Sequence, residues 1–82
     1  MSKDFLVKRI LDDGVINELM TGNQLGDYIN MSDCHDEQYM IYYVRGGVVH
    51  RCEYKGWQPG NKIEVVDFET GEIVLSYIGE DH

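Results

Sequence analysis

The sequence predicts a single α+β domain, residues 1–82, in which helical segments over about residues 4–29 pack on a four-stranded antiparallel β-meander over residues 39–78. Three observations predict this fold class. A chain of 82 residues is too short for more than one hydrophobic core. Apolar residues near the N-terminus recur at helical spacing. The second half is rich in β-branched and aromatic residues separated by glycines, which is typical of a sheet that can curl toward a small barrel.

The N-terminal segment has its apolar residues at steps of three and four, which places them on one face of a helix. These residues are Phe5, Leu6, Ile10, Leu11, Val15, Leu19 and Met20. Asp12-Asp13-Gly14 interrupts the pattern with turn-forming residues, so we expect one kinked helix or two short ones. Gly22 is expected to end this helix, and Asn23 to cap a last short helix over residues 24–29.

Residues 30–38 are polar and acidic and predict a solvated connector. The four strands that follow are expected over residues 39–45, 48–54, 62–68 and 72–78. Gly46-Gly47 predicts a two-residue type I′ turn, because glycine tolerates positive φ at both central positions. Glu69-Thr70-Gly71 predicts a type I turn closed by a glycine bulge.

These turns set the expected registers of the two hairpins. On one face of the first hairpin the expected pairs are Arg45–Val48, Tyr43–His50, Ile41–Cys52 and Tyr39–Tyr54. On its other face they are Val44–Val49, Tyr42–Arg51 and Met40–Glu53. In the second hairpin they are Asp67–Ile73, Val65–Leu75 and Ile63–Tyr77. Both faces of the first hairpin are apolar, so a single helical layer leaves one of them to be covered by something else.

The face that carries Met40, Tyr42, Val44, Val49 and Arg51 is the predicted partner-binding surface. A contiguous apolar patch of this kind is usually hidden in monomeric domains. We therefore expect an interface with a second copy of the chain or with another protein, and a cation–π contact between Tyr42 and Arg51. The alternative is that the sheet curls and the second hairpin covers this face as core.

Trp57 lies in the loop before Pro59 and is a further candidate for partner binding. An exposed tryptophan is a typical anchor of an interface. The alternative is that Trp57 packs over the open end of the sheet, since large aromatic residues supply much of the buried area of a small domain.

The composition is acidic, with 15 Asp and Glu against 7 Lys and Arg and a formal net charge of −8. Such a chain repels nucleic-acid phosphate, which argues against direct DNA or RNA binding. It favours a partner with a basic surface. The first functional hypothesis is therefore a small acidic interaction protein without enzymatic activity, such as an inhibitor, an immunity-type protein or a regulatory subunit.

The alternative hypothesis is a zinc-stabilised structural module. Cys34, His35, His50 and Cys52 supply two thiolates and two imidazoles, which are ligands that Zn²⁺ favours. The spacing argues against this site, since no CxxC pair is present and Cys34 and His35 are adjacent. Catalysis by Cys34 and His35 is also disfavoured, because the neighbouring carboxylates suppress thiolate formation. The sequence contains no catalytic motif, and we expect no bound cofactor.

No stretch approaches the roughly 20 apolar residues that span a bilayer, and the first residues do not resemble a secretory signal. We therefore expect a cytoplasmic protein with no membrane partner. In a reducing cytosol, Cys34 and Cys52 would remain thiols.

Overall fold

The computed structural model describes residues 4–31, 38–55 and 62–79. Within these ranges the chain forms six strands and one helix, which are β1 (Phe5–Leu11), β2 (Gly14–Met20), α1 (Gly22–Asn30), β3 (Gln38–Arg45), β4 (Val48–Lys55), β5 (Lys62–Asp67) and β6 (Ile73–Ile78). The strands form one antiparallel sheet in the order β2-β1-β3-β4-β5-β6. The predicted fold class is therefore wrong, because the chain is mostly antiparallel sheet with one short helix.

The segment predicted as the N-terminal helix forms the β1–β2 hairpin. Its register runs from Phe5–Met20 to Leu11–Gly14 around a turn at Asp12-Asp13. β1 also pairs with β3, so it lies inside the sheet and its backbone groups are used on both sides. Adjacent apolar residues such as Phe5 and Leu6 fit a helical period, but in this strand they supply one side chain to each face.

Helix α1 begins at Gly22, before the start that the sequence predicts. Thr21 is the N-cap, since its Oγ1 accepts a hydrogen bond from the backbone N–H of Gln24 at 3.2 Å. The Gln24 side chain returns the bond by accepting from the Thr21 N–H at 3.0 Å, which completes a capping box. Gly22 therefore starts this helix instead of ending another, and Asn23 lies inside the helix and is not its cap. The predicted helix over residues 24–29 is confirmed.

The core lies between α1 and one face of the sheet. Leu25 and Ile29 of α1 are fully buried, together with Val7, Ile63 and Val65 of the sheet. Helix α1 contacts both edge strands, β2 and β6. In a flat sheet of this strand number the edges would lie about 24 Å apart, which exceeds both the roughly 10 Å diameter of a helix and the length of about 14 Å of nine helical residues. The sheet therefore curves around the helix, and its other face is convex.

The four C-terminal strands lie close to their predicted ranges, and most of the first hairpin register is confirmed. Gly46 and Gly47 have φ values of +58° and +78°, as the type I′ turn requires. The confirmed pairs are Arg45–Val48, Val44–Val49, Tyr43–His50, Tyr42–Arg51 and Ile41–Cys52. The predicted pairs Tyr39–Tyr54 and Met40–Glu53 lie beyond the end of this register. There, β3 continues alongside β1, and β4 continues alongside β5.

The second hairpin matches its predicted register only in part. The pairs Val65–Leu75 and Ile63–Tyr77 are confirmed. The predicted pair Asp67–Ile73 is wrong, because Val66 lies opposite Ile73 and the register shifts between Val65 and Val66. Gly71 has a φ of +74°, as a bulged turn requires, but the irregularity within the strands moves the pairing by one residue.

Candidate functional site: the open face of the sheet

We use the name open face for the side of the sheet that points away from α1. The strand registers place the following side chains on it: Leu6, Ile10, Leu19, Met40, Tyr42, Val44, Val49, Arg51, Glu53 and Phe68. No helix or strand in the described ranges packs over these residues. In particular, the β5–β6 hairpin extends the sheet beside β4 and does not fold back onto this face.

The structure brings five of the six predicted binding residues together on the open face. Val44 and Val49 are cross-strand partners, and they are 52% and 61% exposed. Tyr42 and Met40 are half-buried neighbours on β3, with the Tyr42 hydroxyl directed at the Met40 sulfur at 3.5 Å. Arg51 is exposed and lies opposite Tyr42. Trp57, the sixth predicted residue, lies outside the described residues.

The cation–π contact of Arg51 differs from the prediction. Its guanidinium carbon lies 4.8 Å from the centroid of the Phe68 ring, so Phe68 takes the place predicted for Tyr42. The two residues are adjacent because the Phe68 N–H donates to the Arg51 carbonyl at 2.8 Å, which extends the β4–β5 pairing beyond Asp67. Phe68 itself remains 51% exposed. The cation therefore lies over an exposed ring on the open face.

Sequence reasoning misses the apolar residues that the β1–β2 hairpin contributes to the open face, among them Leu6 and Leu19. Leu6 and Leu19 are cross-strand partners in the β1–β2 hairpin, and Leu19 is 59% exposed. The helical period assigns both to the apolar side of a helix, where they would be core. The signal that could have found them is the turn-forming Asp12-Asp13-Gly14 between two apolar segments, which is also typical of a hairpin.

A groove of about 440 Å³ opens where the shared register of β3 and β4 ends. Consecutive residues of both strands line it, from Gln38 to Ile41 and from Arg51 to Tyr54. Ile10 of β1 also lines it, and no described residue of α1 takes part. Ile10, Met40 and Glu53 of this lining belong to the open face. Ile41 and Cys52 belong to the helix side, so the groove lies between the two strands.

Basic side chains outnumber acidic ones on the open face. Its basic side chains by register are Lys8, Arg51, Lys55 and Lys62, and its acidic ones are Glu53 and Glu64. The net charge of −8 therefore does not arise from this face. Acidic residues lie instead at the turns that border the sheet, including Asp12, Asp13 and Glu69.

A polar cluster surrounds Asp67 on the helix side of the sheet. This carboxylate is 2% exposed and accepts hydrogen bonds from the Tyr43 hydroxyl at 2.8 Å and from the N–H groups of Glu69 and Thr70 at 2.8 and 3.2 Å. His50 Nδ1 lies 3.3 Å away. The Tyr43 hydrogen bond is the main cause that holds the pKa of Asp67 below its usual value, and the backbone donors add to it against the opposing effect of burial.

The same cluster raises two other pKa values. Burial, followed by the hydrogen bond to Asp67, raises the pKa of Tyr43. Burial and the nearby Asp67 charge raise the pKa of the Cys52 thiol to about 11. Cys52 is therefore a protonated core thiol and a poor nucleophile. The cluster anchors the β5–β6 turn to the sheet, and its arrangement is that of a structural network.

The residues of the zinc hypothesis are not assembled in the described part of the chain. His50 and Cys52 share the helix-side face of β4, but the His50 imidazole lies against Asp67 and the Cys52 thiol is directed at the His50 carbonyl at 3.8 Å. Among the described residues, no group of three or more metal-ligating side chains occurs. Cys34 and His35 lie outside the described residues.

Comparison with known protein families, with curated proteins and with solved structures finds no match for this chain. Within the described ranges, the one helix has nine residues, and no helix is long and apolar enough to cross a membrane. Function is therefore inferred from the geometry of the open face.

Proposed function

We propose that this chain is a small acidic interaction protein without enzymatic activity that binds a basic protein partner through the open face of its sheet. The observation that supports the proposal is the asymmetry of the sheet, which has one face packed on α1 and the other carrying exposed apolar side chains. Val44 and Val49, which lie next to the turn of the central β3–β4 hairpin, are the expected contact residues, because apolar patches of this kind mark interaction surfaces.

The size and shape of the open face indicate what the partner must supply. Strand spacing and length give it an area of about 500 Å². A stable interface buries roughly 800 Å² on each partner, so the bordering turns must also make contact. Because the open face is convex, a concave partner surface fits it best.

Electrostatics supports a basic partner. The open face carries four basic and two acidic side chains by register, so its contacts with a basic protein depend on apolar packing. The net charge of −8 belongs to the chain as a whole and attracts a basic protein over a longer range. Acidic residues at the bordering turns, such as Glu69, would then meet Lys and Arg at the rim of the partner. Because charge attraction acts before contact and apolar packing acts within it, we expect the association rate to fall as salt rises. The dissociation rate is expected to depend on the apolar contacts.

The test compares a double variant, Val44→Ser and Val49→Ser, with the control Ile16→Ser. Ile16 is a similarly exposed apolar residue, but its register places it on the opposite side of edge strand β2. The tagged proteins are used to capture partners from cells of the source organism. A protein captured by the wild type and by the Ile16→Ser variant, but not by the double variant, supports the proposal.

The captured partner is then mixed with the purified protein at several salt concentrations. An association rate that does not change with salt would contradict a basic partner. Sedimentation velocity of the purified chain covers the remaining alternative, self-association. A dimer that the double variant dissociates would assign the open face to a second copy and refute the proposal.

The proposal includes no cofactor and no reaction step, and it places the protein in the cytoplasm. Cys52 is a free thiol in the structure, which is compatible with a reducing compartment. The zinc-stabilised module receives no specific support from the described residues.

A further inference from the structure

Edge strand β2 has backbone groups on its outer side that no described strand uses, because it ends the sheet beside β1. Their direction follows from one hydrogen bond on the other side of β1, where the Val44 N–H donates to the Asp4 carbonyl at 3.3 Å. Backbone groups alternate along a strand, so the even-numbered residues of β1 face β3 and the odd-numbered ones face β2. In the β1–β2 register, odd-numbered residues of β1 lie opposite even-numbered residues of β2. Val15, Asn17 and Leu19 therefore turn their N–H and C=O groups outward.

This strand is the regular edge of the sheet. Its register with β1 is continuous over all seven residues, and it contains neither proline nor lysine, which often protect edge strands from pairing. The register of the other edge strand, β6, shifts between Val65 and Val66 and leaves Val74 as an extra residue. Such a bulge disrupts the ladder and hinders the approach of a further strand. Strand addition is therefore expected at β2 and not at β6.

The side chains of β2 are exposed on both faces of the sheet. Val15 on the open face is 51% exposed, and Ile16 on the helix side is 45% exposed. Opposite side chains of paired strands lie about 4.5–5.5 Å apart, so a neighbouring strand would cover both residues. The residues with outward backbone groups direct their side chains to the open face. The edge of β2 is therefore continuous with the proposed binding surface.

We propose that an extended segment of the partner pairs with β2 and continues the sheet by one strand. The outward N–H and C=O groups determine the kind of occupant, because an extended backbone returns hydrogen bonds at the same spacing. Seven strand residues are about 23 Å long, so with a sheet thickness of about 10 Å the edge adds about 230 Å². Together with the open face, this contact approaches the roughly 800 Å² that a stable interface buries on each partner. The inference rests on the proposed function, and it names the structure that the basic partner supplies.

Charge favours a basic segment over a second copy of this chain. β2 and the turn before it carry Asp12, Asp13 and Glu18 and no lysine or arginine. Pairing of two copies through β2 would bring these carboxylates together on two chains that each have a net charge of −8. The Arg9 guanidinium lies 3.8 Å from the Glu18 carboxylate, but Arg9 and Lys8 belong to β1. An added strand lies on the other side of β2, about 10 Å from the β1 backbone.

The test measures amide hydrogen exchange of the full chain, labelled with ¹⁵N, in the presence of three peptides. These are the acetylated amides of Lys-Val-Lys-Val-Lys and Glu-Val-Glu-Val-Glu, and the lysine peptide N-methylated at every residue. In the free chain, the outward amides of Val15, Asn17 and Leu19 should exchange faster than those of Ile16 and Glu18, which bond to β1. We expect the lysine peptide to slow exchange of the three outward amides by about tenfold or more. The other two peptides should not slow it.

The matched variants are Asn17→Pro and Asn17→Ala. Both remove the amide side chain, but only proline also removes the outward N–H, and it leaves the bonds to β1 in place. We expect Asn17→Pro to weaken binding of the lysine peptide by about tenfold and Asn17→Ala to leave it nearly unchanged. Ile16→Ser, which also changes only a side chain, should retain binding. The amide spectrum checks folding, and the N-methylated peptide tests the same hydrogen bonds if the proline variant unfolds.

The inference is overturned if no peptide slows the outward amides, if the acidic or N-methylated peptide slows them equally, or if a folded Asn17→Pro variant binds like the wild type. It is also overturned by a dimer in sedimentation velocity that Asn17→Pro dissociates, since the edge would then belong to a second copy. These results leave the proposed function standing as long as the Val44 and Val49 substitutions still abolish partner capture. Loss of the proposed function would instead appear as capture that ignores those substitutions.

Discussion

Replacing Gly26 by Ala tests how α1 is seated on the sheet. Gly26 is a buried helical residue, and its backbone faces the Tyr77 ring of β6. An added Cβ would overlap the ring atoms Cγ and Cδ2 and lie 2.8 Å from Cε2. The ring is not free to move aside, because its hydroxyl donates a hydrogen bond to Asp27 on the same helix. The helix must therefore shift away from β6.

Two opposing effects determine how much Gly26→Ala changes the free energy of unfolding. Alanine favours an exposed helix over glycine by about 1 kcal/mol. Overpacking a closed contact costs about 1–3 kcal/mol, and here the rigid ring places the cost at the upper end. We therefore expect Gly26→Ala to lower the free energy of unfolding by about 2 kcal/mol, although the substitution improves helix propensity.

Gly22→Ala is the matched control, because it makes the same change four residues earlier. Its Cβ would lie 3.1 Å from Leu75 Cδ1, the end of a flexible side chain that can move by a few tenths of an ångström. Denaturant unfolding should give Gly22→Ala a free energy close to that of the wild type. In a Tyr77→Ala background, Gly26→Ala should become neutral or stabilising. A Gly26→Ala protein as stable as the wild type would refute the close packing of α1 on β6.

Three further predictions concern the cap, the buried carboxylate and the thiol. Thr21→Ala should lower the free energy of unfolding by about 1 kcal/mol, whereas Asn23→Ala should not; equal losses in denaturant melts would contradict the capping box. The lowered pKa of Asp67 contributes stability above its unfolded pKa of about 3.9, and this contribution is lost as pH falls through the folded value. The stability difference between wild type and Asp67→Asn should therefore be constant near neutral pH and shrink below about pH 4, and a pH-independent difference would argue against the Asp67 network. In a Cys34→Ser background, Cys52 should react with a thiol reagent at pH 8 only as the protein unfolds, since its pKa is about 11, and fast reaction of the native protein would contradict its burial.

The error in the fold class has a specific physical cause. A helix and a strand that is apolar on both faces can share one sequence pattern, because adjacent apolar residues satisfy a period of 3.6 as well as alternate sides of a strand. Phe5-Leu6 and Ile10-Leu11 are such pairs. The pairing of β1 with β3, a strand from a distant position in the chain, determines that these residues lie in a strand and not in a helix. No window of local sequence contains that partner.

The C-terminal half is predictable because its local signals agree with its long-range pairing. Gly46-Gly47 fixes a turn, the turn fixes a register, and the register assigns each side chain to a face. Local sequence is therefore enough to place Val44, Val49, Tyr42 and Arg51 together on one face. The predicted register of this hairpin fails only where its ladder stops being continuous, beyond Ile41–Cys52.

The predicted pairing of β3 with β4 fails at the place where the groove of the candidate site opens. A continuous pairing of Met40 with Glu53 would use the space between β3 and β4 for backbone hydrogen bonds and leave a flat surface. In the structure each strand instead continues along its other neighbour, and an opening remains between them. The opening is lined by residues of both faces, Met40 and Glu53 on one side and Ile41 and Cys52 on the other. Because Ile41 and Cys52 are also part of the core under α1, a substitution that repacks the core there changes the lining of the groove as well.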